Sequence, residues 1–163
     1  MEIRPATPAD VPQVLPMVAQ LCALHESWDP AKYGFLPHVA EGYRNWMTNK
    51  TADPRAVFLV ADRPGRGPVA FLIGTVEREI PIYRLKEYGF VHDLWVEPDY
   101  RNEGLARTMV MTAIEAFRQI GVHQVRLDTA APNDAARQLF AKCGFRPSTT
   151  EMLLELDAPP PPE

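Results

Sequence analysis

The chain reads as a single α/β domain of the mixed, α+β kind: a central sheet of about six or seven strands flanked by about four helices. Three observations carry that reading. Alternating or β-branched apolar runs recur at 56–61, 69–77, 89–96, 122–129 and 148–156. Helical periods at 11–25, 38–49, 105–120 and 134–142 lie among them. A length of 163 residues with 46% hydrophobic content is enough to bury one sizeable core and argues against disorder.

Taken in order, Ile3-Arg4-Pro5 opens as a first strand. Thr7-Pro8-Ala9-Asp10 then sets a capping hydroxyl before proline with an acid three residues on, a helix-start pattern. Val11, Leu15, Val18, Leu21 and Cys22 follow at helical spacing to about His25. Pro16 interrupts them, so this helix is expected to start late or bend. A loop of aromatics and acids (His25, Glu26, Trp28, Asp29, Tyr33, Phe35) leads to a second helix over 38–49. The turn Arg63-Pro64-Gly65-Arg66-Gly67-Pro68 folds the next two strands into a hairpin. Gly121 stops the third helix, and residues 1–156 form one domain with no internal repeat. The Pro-rich stretch 157–163 is expected to be an extended, disordered tail.

Composition excludes some functions. A net charge of −4 offers no basic stripe for nucleic acid. No run approaches the roughly 18–20 apolar residues of a membrane span, and Met1-Glu2-Ile3-Arg4-Pro5 leads into a strand rather than a signal peptide. Cys22 and Cys143 are far apart and in no metal-ligand spacing, which reads as two reduced thiols in a cytoplasmic protein without a metal.

The most informative stretch is Val96-Glu97-Pro98-Asp99-Tyr100-Arg101-Asn102-Glu103-Gly104-Leu105-Ala106. It joins a strand to a helix through a tight polar turn. First-turn N–H groups lack intrahelical partners, and the macrodipole adds roughly half a positive charge there, so an anion is favoured. Gly104 lets a pyrophosphate approach the backbone, and Ala106 keeps the next turn low. An ordinary strand-to-helix turn could use the same glycine for geometry alone. Neither Gly-x-x-x-x-Gly-Lys-Ser/Thr nor an early Gly-x-Gly-x-x-Gly is present, which argues against a P-loop hydrolase and a dinucleotide fold.

Residues 93–107, from Asp93 to Arg107, resemble the acyl-CoA signature of the GNAT superfamily of N-acetyltransferases. The opening Ile3 to Asp10 resembles that family's first strand and helix start, and Asn133 to Phe145 its fourth helix and turn. The resemblance implies a GNAT fold and acetyl-CoA as co-substrate. It implies a small-molecule or peptide amine as acceptor, attacked directly in a ternary complex. It further implies that the backbone of Arg101, Asn102, Glu103, Gly104, Leu105 and Ala106 holds the pyrophosphate. Leu94, Trp95 and Val96 would pair with the pantetheine arm, the Val96 N–H serving the thioester carbonyl. Arg107 is a phosphate contact or a solvated helix residue, and Asn133 a CoA contact, a helix cap, or both.

Candidates for the general base are His92 and Asp93 on the motif strand and Glu77 on the strand before it, with Glu26 behind them. Alternation sets His92 and Asp93 on opposite faces unless a bulge re-aims one, and His92 could equally be a structural histidine. Phe140 stands at the CoA site where many members carry a tyrosine that protonates the thiolate. That departure leaves the general acid to water, Tyr83 or Tyr88, and motivates an alternative: an acyl-CoA-binding sensor with little catalysis. Trp28, Tyr33, Phe35, Tyr83 and Tyr88 with Glu26, Asp29, Glu79 and Glu87 suit a cationic amine. The apolar final strand would permit a homodimer.

Overall fold

The computed structural model describes residues 1–157. Its elements are β1 (Glu2–Pro5), α1 (Val11–Trp28), α2 (Val39–Lys50), β2 (Ala56–Arg63), β3 (Gly67–Arg78), β4 (Glu87–Val96), α3 (Leu105–Ile120), β5 (Val125–Leu127) and α4 (Asp134–Lys142). A single 3-10 turn, Pro98–Tyr100, joins β4 to α3. The strands form one sheet in the order β1-β2-β3-β4-β5, antiparallel throughout except for the parallel β4–β5 pair. No helix of the described residues is long and apolar enough to cross a membrane.

Strand alternation splits the core into two layers. Val57, Leu59 and Ala61 of β2 point to α3 and α4, where Met109, Val110, Ala113, Phe117 and Phe140 meet them. Phe58 and Val60 point the other way, onto Val14, Leu15, Val18 and Cys22 of α1 and Met47 of α2. Phe117 decides two glycines. A Cβ at Gly89 would sit 2.7 Å from its ring, and one at Gly74 would sit 2.9 Å from it and 2.7 Å from the Phe90 carbonyl.

The clamp at the start of the chain is ionic. Arg4 on β1 donates to both carboxylate oxygens of Asp10 at 2.8 Å and to Asp62 of β2 at 2.6 Å. The Asp10 carboxylate also accepts from the Thr7 N–H and hydroxyl, each at 2.7 Å. Hydrogen bonding to Arg4 holds Asp10 far below the usual carboxylate range, and Arg4 is raised in turn. Asp10 is therefore spent on β1 rather than on a side-chain cap, and α1 runs from Val11, the first residue of the helical period, without the late start expected from Pro16. Pro16 then falls one turn in, where it removes a single i→i−4 bond.

The sheet has five strands, not six or seven, because 148–156 forms none. Met152, Leu153 and Leu154 are consecutive, so they cannot share one face of a strand, and with Leu156 they are 51–88% exposed. Glu151 pairs instead with Lys32 between α1 and α2. The strand expected over 122–129 shortens to Val125–Leu127, with Val122 buried from the preceding turn. Of the expected tail, residues 158–163 lie outside the described residues.

Candidate active site

The site is made by an irregularity in β4. Ile73 of β3 pairs with Asp93, but the next residue, Gly74, pairs with Val91, leaving His92 as the extra residue of a β-bulge. The bulge cancels one step of alternation. Val91 and Leu94 both face the α3 layer, while Trp95 lies in the α1 layer. His92 meets Trp46 of α2 edge-on at 5.3 Å, and Asp93 acts on Cys22 of α1 and Tyr43 of α2. The two candidate residues thus share the α1–α2 face, side by side.

The bulge also switches the backbone. The Gly89 N–H donates toward β5, to the Gln124 carbonyl at 2.8 Å, whereas the Glu97 N–H donates toward β3, to Val69 at 3.0 Å. Counting back from Glu97, the N–H groups of Leu94 and Val96 point away from β3, toward the β5 side. There β5 pairs only with Gly89 to Val91. Beyond Val91 the two strands part, and β4 presents an open edge.

Electrostatics separate the two residues. Burial lowers the His92 pKa, helped by the charge of Lys50 and opposed by Glu77. Burial pushes Asp93 up to about 6. Asp93 makes no side-chain hydrogen bond among the described residues, although neither of its oxygens is closed off from solvent without a partner. Thr75 of β3, 6% exposed, lies beside them. Its hydroxyl is 2.5 Å from Glu77 Oε1 and 2.6 Å from His92 Nε2. Glu77, the third expected base, therefore reaches His92 through Thr75.

The turn after β4 has the shape of an anion cradle. Asn102 (φ 65°) and Gly104 (φ 82°) both adopt left-handed backbone, which turns successive N–H groups to one side. Among the described residues, the N–H groups of Asn102, Glu103 and Gly104 make no backbone hydrogen bond. Those of Leu105, Ala106 and Arg107 open α3 and have no helical partner. A Cβ on Gly104 would meet nothing within 4 Å, so the space in front of it is open. A pyrophosphate fits this arrangement of donors.

Not every expected residue is placed as the sequence suggested. Arg101 turns inward: its N–H bonds the Pro98 carbonyl at 3.2 Å, its Nε bonds the Val96 carbonyl at 2.8 Å, and its guanidinium stacks on Trp95 at 4.5 Å. Arg107 is exposed; burial raises the Cys143 pKa and the Arg107 charge opposes that rise, which places Arg107 on the α4 side of α3. Asn133 caps α4 through the Ala136 N–H at 3.1 Å. Phe140 is a core residue, 8% exposed, against Phe145. Tyr88 is covered by the Arg126 guanidinium at 3.9 Å, and Glu79 and Glu87 pair with Arg126 and Arg55. Tyr33 stacks on Phe35 and meets His25 edge-on, and Trp28 meets His25 edge-on as well. Glu26 lies close enough to raise Cys22, which burial pushes up to about 11.

Sequence reasoning missed Thr75 and Trp46. A polar residue in the otherwise apolar run Val69 to Val76 was the available signal for Thr75. Nothing in the α2 sequence marks Trp46 apart from Tyr43.

The model of the acetyltransferase (GNAT) family matches residues 21–145. Human N-acetyltransferase 8B is 27% identical over 137 residues, covering 82% of this chain and 59% of that protein. The BH1408 protein of Bacillus halodurans, solved as a tetramutant, superposes with a TM-score of 0.83 at 20% identity, covering 96% of this chain and 100% of that one. A predicted acetyltransferase of Clostridium acetobutylicum, solved with acetyl-CoA, gives 0.74 at 18% identity over 95% and 96% of the two chains. At such identities the structures bear on fold alone. The matched stretches span between 24% and 59% of the length of the curated relatives. With the family model covering most of the chain, this protein belongs to the GNAT acetyltransferase family.

Proposed function

We propose that the chain is an acetyl-CoA-dependent N-acetyltransferase acting on a primary amine by direct attack in a ternary complex. The open edge of β4, lying between the cradle at 102–106 and the His92–Asp93 bulge, carries this reading. Acetyl-CoA supplies the acetyl group as a thioester; the chain's residues do the rest. The N–H groups of Asn102 to Ala106 hold the phosphates, with Arg107 and Asn133 at their flank. Leu94 and Val96 offer N–H groups along the open edge, and that of Val96 is the oxyanion donor. His92, neutral at pH 7 because its pKa is lowered, takes the proton that the amine gives up as the amide bond forms. Asp93 accepts an N–H of the same amine. The thiolate leaves without a side-chain acid at Phe140 and is protonated from water, which a thiol of pKa about 8.5 permits.

Calorimetry with acetyl-CoA followed by thiol release across a panel of amines tests this. Binding with turnover on some amine is the expected result; no binding would remove the site assignment. A second reading, an acyl-CoA sensor, rests on the core-packed Phe140. It predicts tight binding with no release on any amine, and a large rise in turnover for Phe140→Tyr.

The unpaired thiols Cys22 and Cys143 suit a reducing cytoplasm. The exposed apolar side chains of Met152, Leu153, Leu154 and Leu156 support a homodimer, which sedimentation would detect.

A further inference from the structure

Thr75 lies on β3, opposite Phe90 and two residues before Glu77. It is one of two buried polar residues among the described residues, the other being Asp10 of the ionic clamp. Its hydroxyl has one proton and two close neighbours, Glu77 Oε1 at 2.5 Å and His92 Nε2 at 2.6 Å. A carboxylate only accepts, so the Thr75 proton goes to Glu77. The Thr75 oxygen must then accept from His92, which requires the proton of the neutral imidazole to sit on Nε2. That leaves the lone pair on Nδ1, for which no hydrogen-bond partner exists among the described residues.

We propose that Thr75, held by Glu77, is a positioning residue that locks His92 in its Nε2–H tautomer and so presents Nδ1 as the base. The inference rests on reading His92 as the residue that takes the amine proton. Thr75 and Glu77 touch neither substrate; they act through the imidazole. The rest of the surroundings favours the same orientation without being able to choose the tautomer. Trp46 from α2 and Phe90 from β4 pack edge-on against the ring at 5.3 and 5.1 Å, offering neither a donor nor an acceptor of comparable strength. The charged groups facing it are Glu77 of β3, whose Oε1 lies 3.6 Å from Nε2, Lys50 of α2, and the adjacent Asp93. Lys50 is engaged by Asp53 at 2.6 Å. When Nδ1 gains a proton, the Thr75 hydroxyl and the Glu77 carboxylate stay in line with the new charge, so no group has to reorient.

The lock has a readout that needs no turnover. In nitrogen-15 spectra of the full chain, His92 is expected as a single Nε2–H tautomer above its pKa. Thr75→Val, which keeps the shape and removes the hydroxyl, is expected to give mixed tautomers, to lower kcat about 10- to 100-fold, and to move the acid limb of the pH–rate profile to lower pH. Thr75→Ser should restore all three. A wild-type Nδ1–H tautomer, or a Thr75→Val protein with unchanged tautomer and pH profile, overturns the proposal. His92→Gln separates the two readings. Full activity in that variant defeats His92 as base while the tautomer spectra still judge the lock. Lost activity in that variant beside unaltered Thr75→Val kinetics defeats the lock alone.

Discussion

Asp93 is the residue at which function and stability oppose each other. Its carboxylate is raised to about 6 by burial and makes no side-chain hydrogen bond among the described residues. At pH 7.5 it is ionised, and holding that charge costs of the order of 2 kcal/mol relative to the unfolded value near 3.9. Asp93→Asn should therefore raise Tm by about 5 °C at pH 7.5 while lowering kcat/KM about 100-fold. A calorimetric scan and a rate on one preparation decide it; a destabilised Asn variant would mean the carboxylate has a partner in solution. In the wild type, activity should rise with pH in two steps, one near 6 as Asp93 ionises and one belonging to His92, whose pKa is lowered by burial. The types of these residues were legible in the sequence. Their shared face was not, since a bulge depends on how β3 pairs with β4, and no local pattern around His92 announces it.

At the scale of elements, the third helix and the turn before it were the clearest features of the sequence, and they are found where its periodicity puts them, Leu105–Ile120. The turn gives a clean test. Gly104 has open space around its missing Cβ, so Gly104→Asp adds a negative charge to the cradle without a collision, at the cost of a strained φ. Acetyl-CoA affinity should fall at least 100-fold by calorimetry with Tm lowered by only a few degrees; unchanged affinity would move the phosphates elsewhere. Gly89→Ala asks the opposite question. Its Cβ would press into the Phe117 ring at 2.7 Å, so the strand or α3 must shift, at about 1–3 kcal/mol in denaturant unfolding. Phe117→Leu in the same chain should recover part of that loss. What the sequence could not give was the end of the sheet. The run 148–156 looked like a strand, but strands need a partner edge, and β5 offers three residues. Arg101 shows a related limit. Its N–H, expected among the pyrophosphate donors, bonds the Pro98 carbonyl across the 3-10 turn, a local closure that a motif position does not reveal.

Across the whole molecule, two carboxylates with opposite shifts set the pH at which the fold is firmest. Asp10 is depressed by Arg4, so its contribution is fully present above the unfolded pKa of about 3.9 and is lost as pH falls through and below that value. Asp93 is raised, so the native state binds its proton more tightly than the unfolded chain does. Its contribution is unfavourable above about 6 and disappears as pH falls from 6 toward 4. From these two groups, stability should climb as pH drops from about 6 to 4.5 and then collapse below 4. His92, lowered by burial, opposes the climb, and Asp53, lowered by Lys50, adds to the collapse, so each carboxylate's share is read by removing it alone. Asp93→Asn should flatten the climb and leave the acid collapse. Asp10→Asn should cost about 3 kcal/mol at neutral pH, because Arg4 loses its bidentate partner and β1, α1 and β2 lose their common tie. It should also flatten the collapse. Urea midpoints at intervals of half a pH unit would show both limbs. An Asp93→Asn protein whose midpoints follow the wild type from pH 7.5 to 4.5 would mean that Asp93 is not raised in solution, and with it the case for a half-buried acid beside His92 would be lost.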